Sequence, residues 1–318
     1  MLCSVPLLRA LRTAYPNAHI GLIASPVNYS IMLHHPYVNE VLCYDKKRFW
    51  KSPSAFFQFI GELRRRTYEL TVVPVTVSVS VTSNVLAFAS GARIRLGVDS
   101  LEGKTHKSSF LFNQTASLDW RKEPHRHQTL RNLDIAKSLG TKTEDLRMTL
   151  GITDGEKKDA LAVLAKFQEK HSLLIGMHPG AGKIGNRWSA ERFAEVANSL
   201  YEKYAVGIVV TAGSMDDDAI EEFLQHVQCP YFLLRNKPIR SVAALISLLS
   251  LFVSNDTGIM HVAAASGTKT LSLFGPTDPF QWAPIGGENR YIYANDSNIN
   301  SITVAEVSDA ARQMLNLS

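Results

Sequence analysis

The stretch LFVSNDTGIMHVAAASGTKTLSLFGPTDP, residues 251–279, changes period twice within thirty residues. An apolar run, Leu251 to Val253, gives way to the polar turn Ser254–Gly258. A small-residue segment with alanines at 263, 264 and 265 follows, and after Gly267 a second apolar run ends in Phe274. This is the pattern of strand, turn, short helix and strand. Asp256 stands at the expected N-cap of the helix, Thr257 and Gly258 expose their amides in its first turn, and His261 lies four residues after Thr257 on the same face. The alanines let the helix approach the sheet closely. Such a turn suits a diphosphate; a capping Asp with a packed histidine fits the same residues.

The same alternation runs upstream. Helix GEKKDALAVLAKFQEK, strand LLIGMHP, helix SAERFAEVANSLYEKY, strand VGIVVTA, helix DDAIEEFLQHV, strand YFLL and helix SVAALISLLS lead into the opening stretch. Strands alternating with helices predict a doubly wound parallel sheet. The first half begins with a helix carrying Leu7, Leu8, Leu11 and Ala14. It continues through AHIGLIA and EVLCYD as strands, SAFFQFIGELRRR as a helix, YELTVVPVTVSV as a strand and TSNVLAFASG as a helix. The polar, basic segment from Gly97 to Pro124 reads as a long surface loop before the helix HQTLRNLDIAKSLG.

At 318 residues the chain exceeds one ordinary core. We expect domains over 1–152 and 153–318, with a cleft between the carboxyl ends of two parallel sheets. Hydrophobic content of 45% and charged content of 20% are those of a folded globular protein. The net charge of +5 is concentrated in the first half, at Arg64–Arg66, Lys104, Lys107, Arg121, Lys122 and Arg126. No nucleic-acid-binding motif accompanies it, so either a solvated surface or an anionic small partner accounts for the charge. Cys3, Cys43 and Cys229 lack metal-ligand or CxxC spacing, which favours a reducing cytoplasm. No apolar run is long enough to span a bilayer, no signal peptide is evident, and no metal or cofactor is called for.

Two other post-strand loops stand out. GMHPGAGKIGNRW, residues 176–188, has four glycines and leads to a helix with Ser189 at its N-cap; it is neither a Walker loop nor GxGxxG. It is either a phosphate cradle or a plain strand-to-helix connection. TAGSMDDD carries Asp216, Asp217 and Asp218 into the next helix, as caps or as acceptors for a sugar or base.

Together HPGAGKIGNRWSAERFAEV, SNDTGIMHVAAASGTKTLSLFGPTDP and PLLRALRTAYPNAHI resemble the ADP-heptose:lipopolysaccharide heptosyltransferase family, glycosyltransferase family nine. The resemblance implies a GT-B-like α/β fold of two Rossmann-like domains, the first for the acceptor and the second for the nucleotide sugar. It also allows the C-terminal helix to pack back on the first domain. It implies inverting, metal-independent transfer of a heptose from a nucleoside-diphosphate donor such as ADP-heptose onto an anionic glycolipid acceptor, a lipopolysaccharide core or related cell-envelope glycan, at the inner face of the cytoplasmic membrane. Gly180, Lys183, Arg187, Asp216, Asp217, Asp256, Thr257, Gly258 and His261 are the donor residues this implies, and Arg121 and Arg126 are candidates for the acceptor.

Two positions depart from the family pattern. Where a phosphate-binding lysine commonly stands, two residues before Trp188, this chain has Asn186, leaving Lys183 and Arg187 as substitutes. The family also places a strand and an S-x-G-D loop before PLLRAL, whose Asp is the presumed base; no carboxylate occurs in residues 1–20, so that base and strand are expected upstream of Met1. A first sheet without that strand exposes unpaired backbone. A nucleotide-sugar-binding protein without transferase activity is therefore the alternative, and an epimerase or hydrolase of nucleotide sugars a third.

Overall fold

The computed structural model describes residues 1–317, which divide into two compact units. The first takes Met1 with residues 3–29 and 37–146, and the second takes Leu2 with residues 30–36 and 147–317. The boundary thus lies before the break expected at 152/153. The reason is local packing: His35 Nε2 lies 3.2 Å from the carbonyl oxygen of Thr149. Gly151 is pressed so closely on the backbone of His34 that a Cβ would overlap its carbonyl.

In the second unit the chain runs α7 (Asp154–Gln168), β7 (Leu174–His178), α8 (Ala190–Tyr204), β8 (Gly207–Ala212), α9 (Asp217–His226), β9 (Tyr231–Arg235), α10 (Ile239–Ile246) and β10 (Leu251–Asn255). It continues through α11 (Gly258–Ala265), β11 (Thr270–Phe274), α12 (Pro279–Trp282), β12 (Asn289–Tyr293) and α13 (Val304–Met314). All six strands are parallel, in the order β12-β11-β10-β7-β8-β9. The two-residue period of the strands sorts their side chains onto two faces. Ile175, Met177, Ile208, Val210, Leu251 and Val253 pack with Phe193, Phe223 and Val307 from α8, α9 and α13. Leu174, Val209 and Phe252 pack with Leu164, Leu245 and Ala263 from α7, α10 and α11. The sheet is doubly wound, and the order in which strands are added reverses between β7 and β10. The C-terminal helix α13 lies on α8 and joins the second unit's own core through Val307, Ala311 and Met314.

The first unit contains α1 (Val5–Ala14), β1 (Gly21–Ala24), α2 (Pro26–Met32, which ends in the second unit), β2 (Glu40–Cys43), α3 (Lys46–Lys51), α4 (Pro53–Arg65), β3 (Leu70–Val72), α5 (Val81–Ala89), β4 (Ile94–Leu101), β5 (Lys104–Thr105), β6 (Gln114–Leu118) and α6 (Gln128–Asp134). Its strands form two separate ladders, β1 with β2 and β3-β4 with β5 and β6 on β4. The segment expected as a surface loop from Gly97 to Pro124 in fact contributes the end of β4, β5 and β6: β4 pairs in parallel with β3 and β6, with a bulge between Val98 and Ser100. Its apolar alternation, Leu96 and Val98 inward, was masked by outward polar residues that bond across strands; Asp99 accepts from Thr115 at 2.9 Å and Ser117 at 2.7 Å. Conversely the strand expected over YELTVVPVTVSV is confined to Leu70–Val72. Pro74 cannot donate to a ladder, and the chain leaves the sheet just beyond Val73, whose amide still reaches Leu96.

Candidate functional site

The carboxyl ends of β7 and β10, where the strand order reverses, carry the two loops singled out in the sequence. In open α/β sheets this switch point is where ligands bind. Asn255, the last residue of β10, is fully buried and joins the loops. Its Nδ2 donates to the carbonyls of Pro179 (2.8 Å) and Gly180 (3.2 Å), and its Oδ1 accepts from the Trp188 amide at 3.0 Å. Both ends of the glycine-rich loop are thereby tied to one side chain, while Trp188 is anchored in the core with its indole N–H on the carbonyl of Ile302.

Asp256 does not cap α11, contrary to the expectation from its position. Thr257 is the N-cap, with extended backbone, and no side chain caps the helix. Asp256 is drawn instead towards Asn186, whose Nδ2 donates to Asp256 Oδ2 at 2.8 Å and lies 3.1 Å from the Thr277 hydroxyl. Burial raises the pKa of Asp256 above the ordinary carboxylate range, against a hydrogen bond from Thr277 and the charge of Lys183. Lys183, Asn186, Asp256 and Thr277 thus form one cluster on three loops. Beside it, Gly258 is exposed at the first turn of α11, and a Cβ there would meet no protein atom within 4 Å. His261 is half-buried one turn along the same helix.

Arg187 reaches back along the glycine loop. One terminal nitrogen donates to the carbonyl of Ala181 at 3.1 Å, while Nε is buried without a hydrogen-bond partner.

The acids after β8 separate into two environments. Asp216 turns inward and accepts the Gly213 amide at 2.7 Å, and its other oxygen lies against Gly180, where any Cβ would overlap it. Its Oδ2 is 3.5 Å from Nε2 of His178. His178, at the end of β7, donates from Nδ1 to the Thr211 carbonyl at 2.9 Å; burial pushes its pKa down despite the nearby carboxylate. Asp217 turns outward and pairs with Arg235 at 2.7 Å. The structure therefore places Asp216 under the glycine loop and Asp217 away from it.

In the first unit Arg121 is exposed and paired with Asp119 at 2.6 Å. Arg126 holds Asp134 through Nε and Nη2, at 2.8 and 2.7 Å, and reaches Glu123 through Nη1. Asp134 also accepts from the Trp120 indole at 2.7 Å, and Arg131 lies over the Trp120 ring. Arg126 is thus bound into a structural knot, whereas Arg121 keeps its charge at the surface.

His178, Asn255 and Thr277 were not picked out as site residues from the sequence. The available signal was a polar residue closing an otherwise apolar strand, as at His178 and Asn255. Among the described residues, no three His, Cys, Asp or Glu side chains are grouped to hold a metal ion. Among the described residues, no helix is long and apolar enough to cross a membrane.

The chain is 25% identical over 309 residues to lipopolysaccharide heptosyltransferase 3 of Escherichia coli, covering 93% of this chain and 86% of that protein. Among solved structures, a family 9 glycosyl transferase from Veillonella parvula superposes with a TM-score of 0.85 at 22% identity, covering 100% of this chain and 94% of that one. The E. coli heptosyltransferase WaaC with ADP gives 0.79 at 18% identity, covering 98% and 95%. These likenesses establish the GT-B-like α/β fold. Residues 56–308 match the family model described as glycosyltransferase family 9 (heptosyltransferase), and the chain, with its Asp256-Thr257-Gly258 turn at the sheet's switch point, belongs to that family of glycosyltransferases.

Proposed function

We propose that the second unit binds a nucleoside-diphosphate heptose, ADP-heptose in particular, and that the protein transfers the heptose with inversion, without a metal ion, to a lipopolysaccharide-core glycan. The observation that carries this reading is the uncapped N-terminus of α11 beside the open space at Gly258, at the switch point of the sheet. The names of the relatives supply the chemistry: the E. coli relative is a lipopolysaccharide heptosyltransferase, and WaaC was solved with ADP.

As the bond from the anomeric carbon to the diphosphate breaks, negative charge develops on the leaving oxygen. Backbone amides of Thr257 and Gly258 and the positive end of α11 stabilise that charge, and they need no reorganisation during the step. Lys183 and Arg187 add mobile and partly buried positive charge from the facing loop. His261 stands one turn further along α11, where it contacts the sugar or its phosphate, and Gly180 over Asp216 lets the donor approach the backbone. Asp217, held by Arg235, has the lesser part. On the first unit, Arg121, with Arg126 behind it, meets the phosphorylated acceptor. The protein works in the cytoplasm, peripherally at the inner face of the cytoplasmic membrane.

The test is calorimetry with ADP and ADP-heptose, followed by transfer of labelled heptose to a heptose-deficient lipopolysaccharide core, on the parent and Gly258→Ala. The added methyl meets no protein atom, so the variant keeps its melting temperature while its donor KM rises about ten-fold or more by crowding the diphosphate. Unchanged donor binding in Gly258→Ala overturns the placement. Binding of ADP-heptose without any transfer supports the nucleotide-sugar-binding alternative.

A further inference from the structure

The first unit carries a feature that donor chemistry does not use. Around α3 and α4, Tyr44, Phe49, Phe56 and Phe59 form an aromatic cluster: the Phe49 ring lies 5.1 Å from Tyr44, 5.2 Å from Phe59 and 6.0 Å from Phe56. That cluster satisfies the apolar demand of the helix pair. Yet the residues adjoining it in the chain, Trp50 and Phe57, stand in solvent at 86% and 71% exposure. Of four tryptophans in the chain, Trp120 and Trp188 are buried and Trp282 is half-buried, which leaves Trp50 as the exposed one.

Apart from Glu62 of α4, the charge on the same two helices is positive. Lys46, Lys47, Arg48, Lys51 and Arg65 are exposed, and none is held in an ion pair among the described residues. The two other arginines are engaged: Arg64 donates to the Ala89 carbonyl at 2.9 Å, and Arg66 holds Glu40. The nearby acid Asp45 is turned back on the amides of Lys47 and Arg48 as the cap of α3.

Protruding aromatic side chains among free lysines and arginines fit the interface of an anionic bilayer. Indole and phenyl rings settle at the level of the headgroups and acyl boundary, while the cations meet phosphate. Each attraction alone gives weak, reversible adsorption, and the two together give useful residence. A soluble anion would engage the cations but leave Trp50 and Phe57 exposed. The charge complementarity therefore points to a lipid surface.

We propose that α3 and α4 form a docking surface for anionic phospholipid bilayers, with Trp50 and Phe57 inserting and Lys46, Lys47, Arg48 and Lys51 contacting the headgroups. The inference does not depend on the transferase reading, because the test below contains neither nucleotide sugar nor glycan acceptor.

The full chain is floated with vesicles of phosphatidylethanolamine and phosphatidylglycerol, free of lipopolysaccharide, and with phosphatidylcholine vesicles. The anionic vesicles are expected to carry the protein and shift Trp50 emission to the blue, with binding falling as salt rises. Trp50→Ala/Phe57→Ala and Lys46→Glu/Lys47→Glu each lower the bound fraction about ten-fold at unchanged melting temperature, while Trp50→Phe retains binding. Glutamate in the first turn of α3 complements the helix dipole, so the charge reversal spares the fold. Failure of the parent to float, or equal flotation of parent and both variants, overturns the proposal. So does binding only when lipopolysaccharide is added to the vesicles, which would assign the surface to the glycan acceptor.

Discussion

Asn186 Nδ2 sits 2.8 Å from Asp256 Oδ2, so a neutral amide rather than a cation is the direct partner of a carboxylate whose pKa is raised. The positive charge acting on Asp256 comes from the exposed Lys183. Replacing Asn186 by Ala leaves the buried carboxylate short of a donor and is expected to cost about 1–3 kcal/mol. Asn186→Asp sets two acids side by side and is expected to abolish ADP binding at neutral pH. Urea unfolding and calorimetry check both; an Ala variant with the parent's midpoint and affinity would show the contact to be idle.

Asp256 itself supplies a pH signature. Its folded pKa lies above the ordinary value because burial disfavours the charged form, so folding binds the proton more tightly than the unfolded chain does. Parent stability relative to Asp256→Asn is therefore full below the ordinary carboxylate pKa and is lost as pH rises through the raised one. Melting curves of both proteins from acid to neutral pH should diverge in favour of the Asn variant, while that variant uses the donor less well. A parent that gains on Asp256→Asn with rising pH would contradict this sign.

The opposite sign applies at Glu156. Hydrogen bonds from Arg240 at 2.5 and 2.6 Å are the largest cause holding its pKa down at about 2, against burial and with help from Thr153. Its contribution is complete above the ordinary glutamate range and disappears as pH falls from about 4.5 towards 2. Arg240 also donates to the carbonyls of Leu33 (2.8 Å) and Gly151 (2.7 Å). Arg240→Ala is expected to cost roughly 3 kcal/mol at pH 7. A double-mutant cycle with Glu156→Gln, run at pH 7 and pH 3, should show the coupling reduced at the lower pH.

The two acids after β8 should separate cleanly on mutation. Asp217→Ala breaks only a surface pair with Arg235, worth at most about 1 kcal/mol, and is expected to leave donor KM within two-fold. Asp216→Ala removes the support under Gly180, and Gly180→Ala drives a methyl into that carboxylate. Both are expected to raise donor KM about ten-fold or more, as measured by initial rates at fixed acceptor. Equal effects of the Asp216 and Asp217 variants would remove the distinction.

Much of this was legible in the sequence where chemistry and periodicity agree. Ile175, Val209 and Val253 lie in short apolar runs bounded by glycine-containing turns, and their strands appear where the runs do. The β4 to β6 region was illegible because its polar side chains pair with one another: Asp99 with Thr115 and Ser117 looks like loop chemistry until the partner strand is in view. In the site, Asp256 was legible as a special residue but not as to its partner. Capping is a local preference, and the competing bond from Asn186 comes from seventy residues away. Asp216 and Asp217 are adjacent and identical in the sequence; only the direction of the first turn of α9 tells them apart.

The Asn255 side chain fixes both flanks of the glycine loop at folding, long before any ligand arrives. In kinetic terms the loop has no separate ordering step to complete at encounter. Association at this loop is then governed by diffusion and charge, and discrimination among nucleotides falls to the rate at which each one leaves.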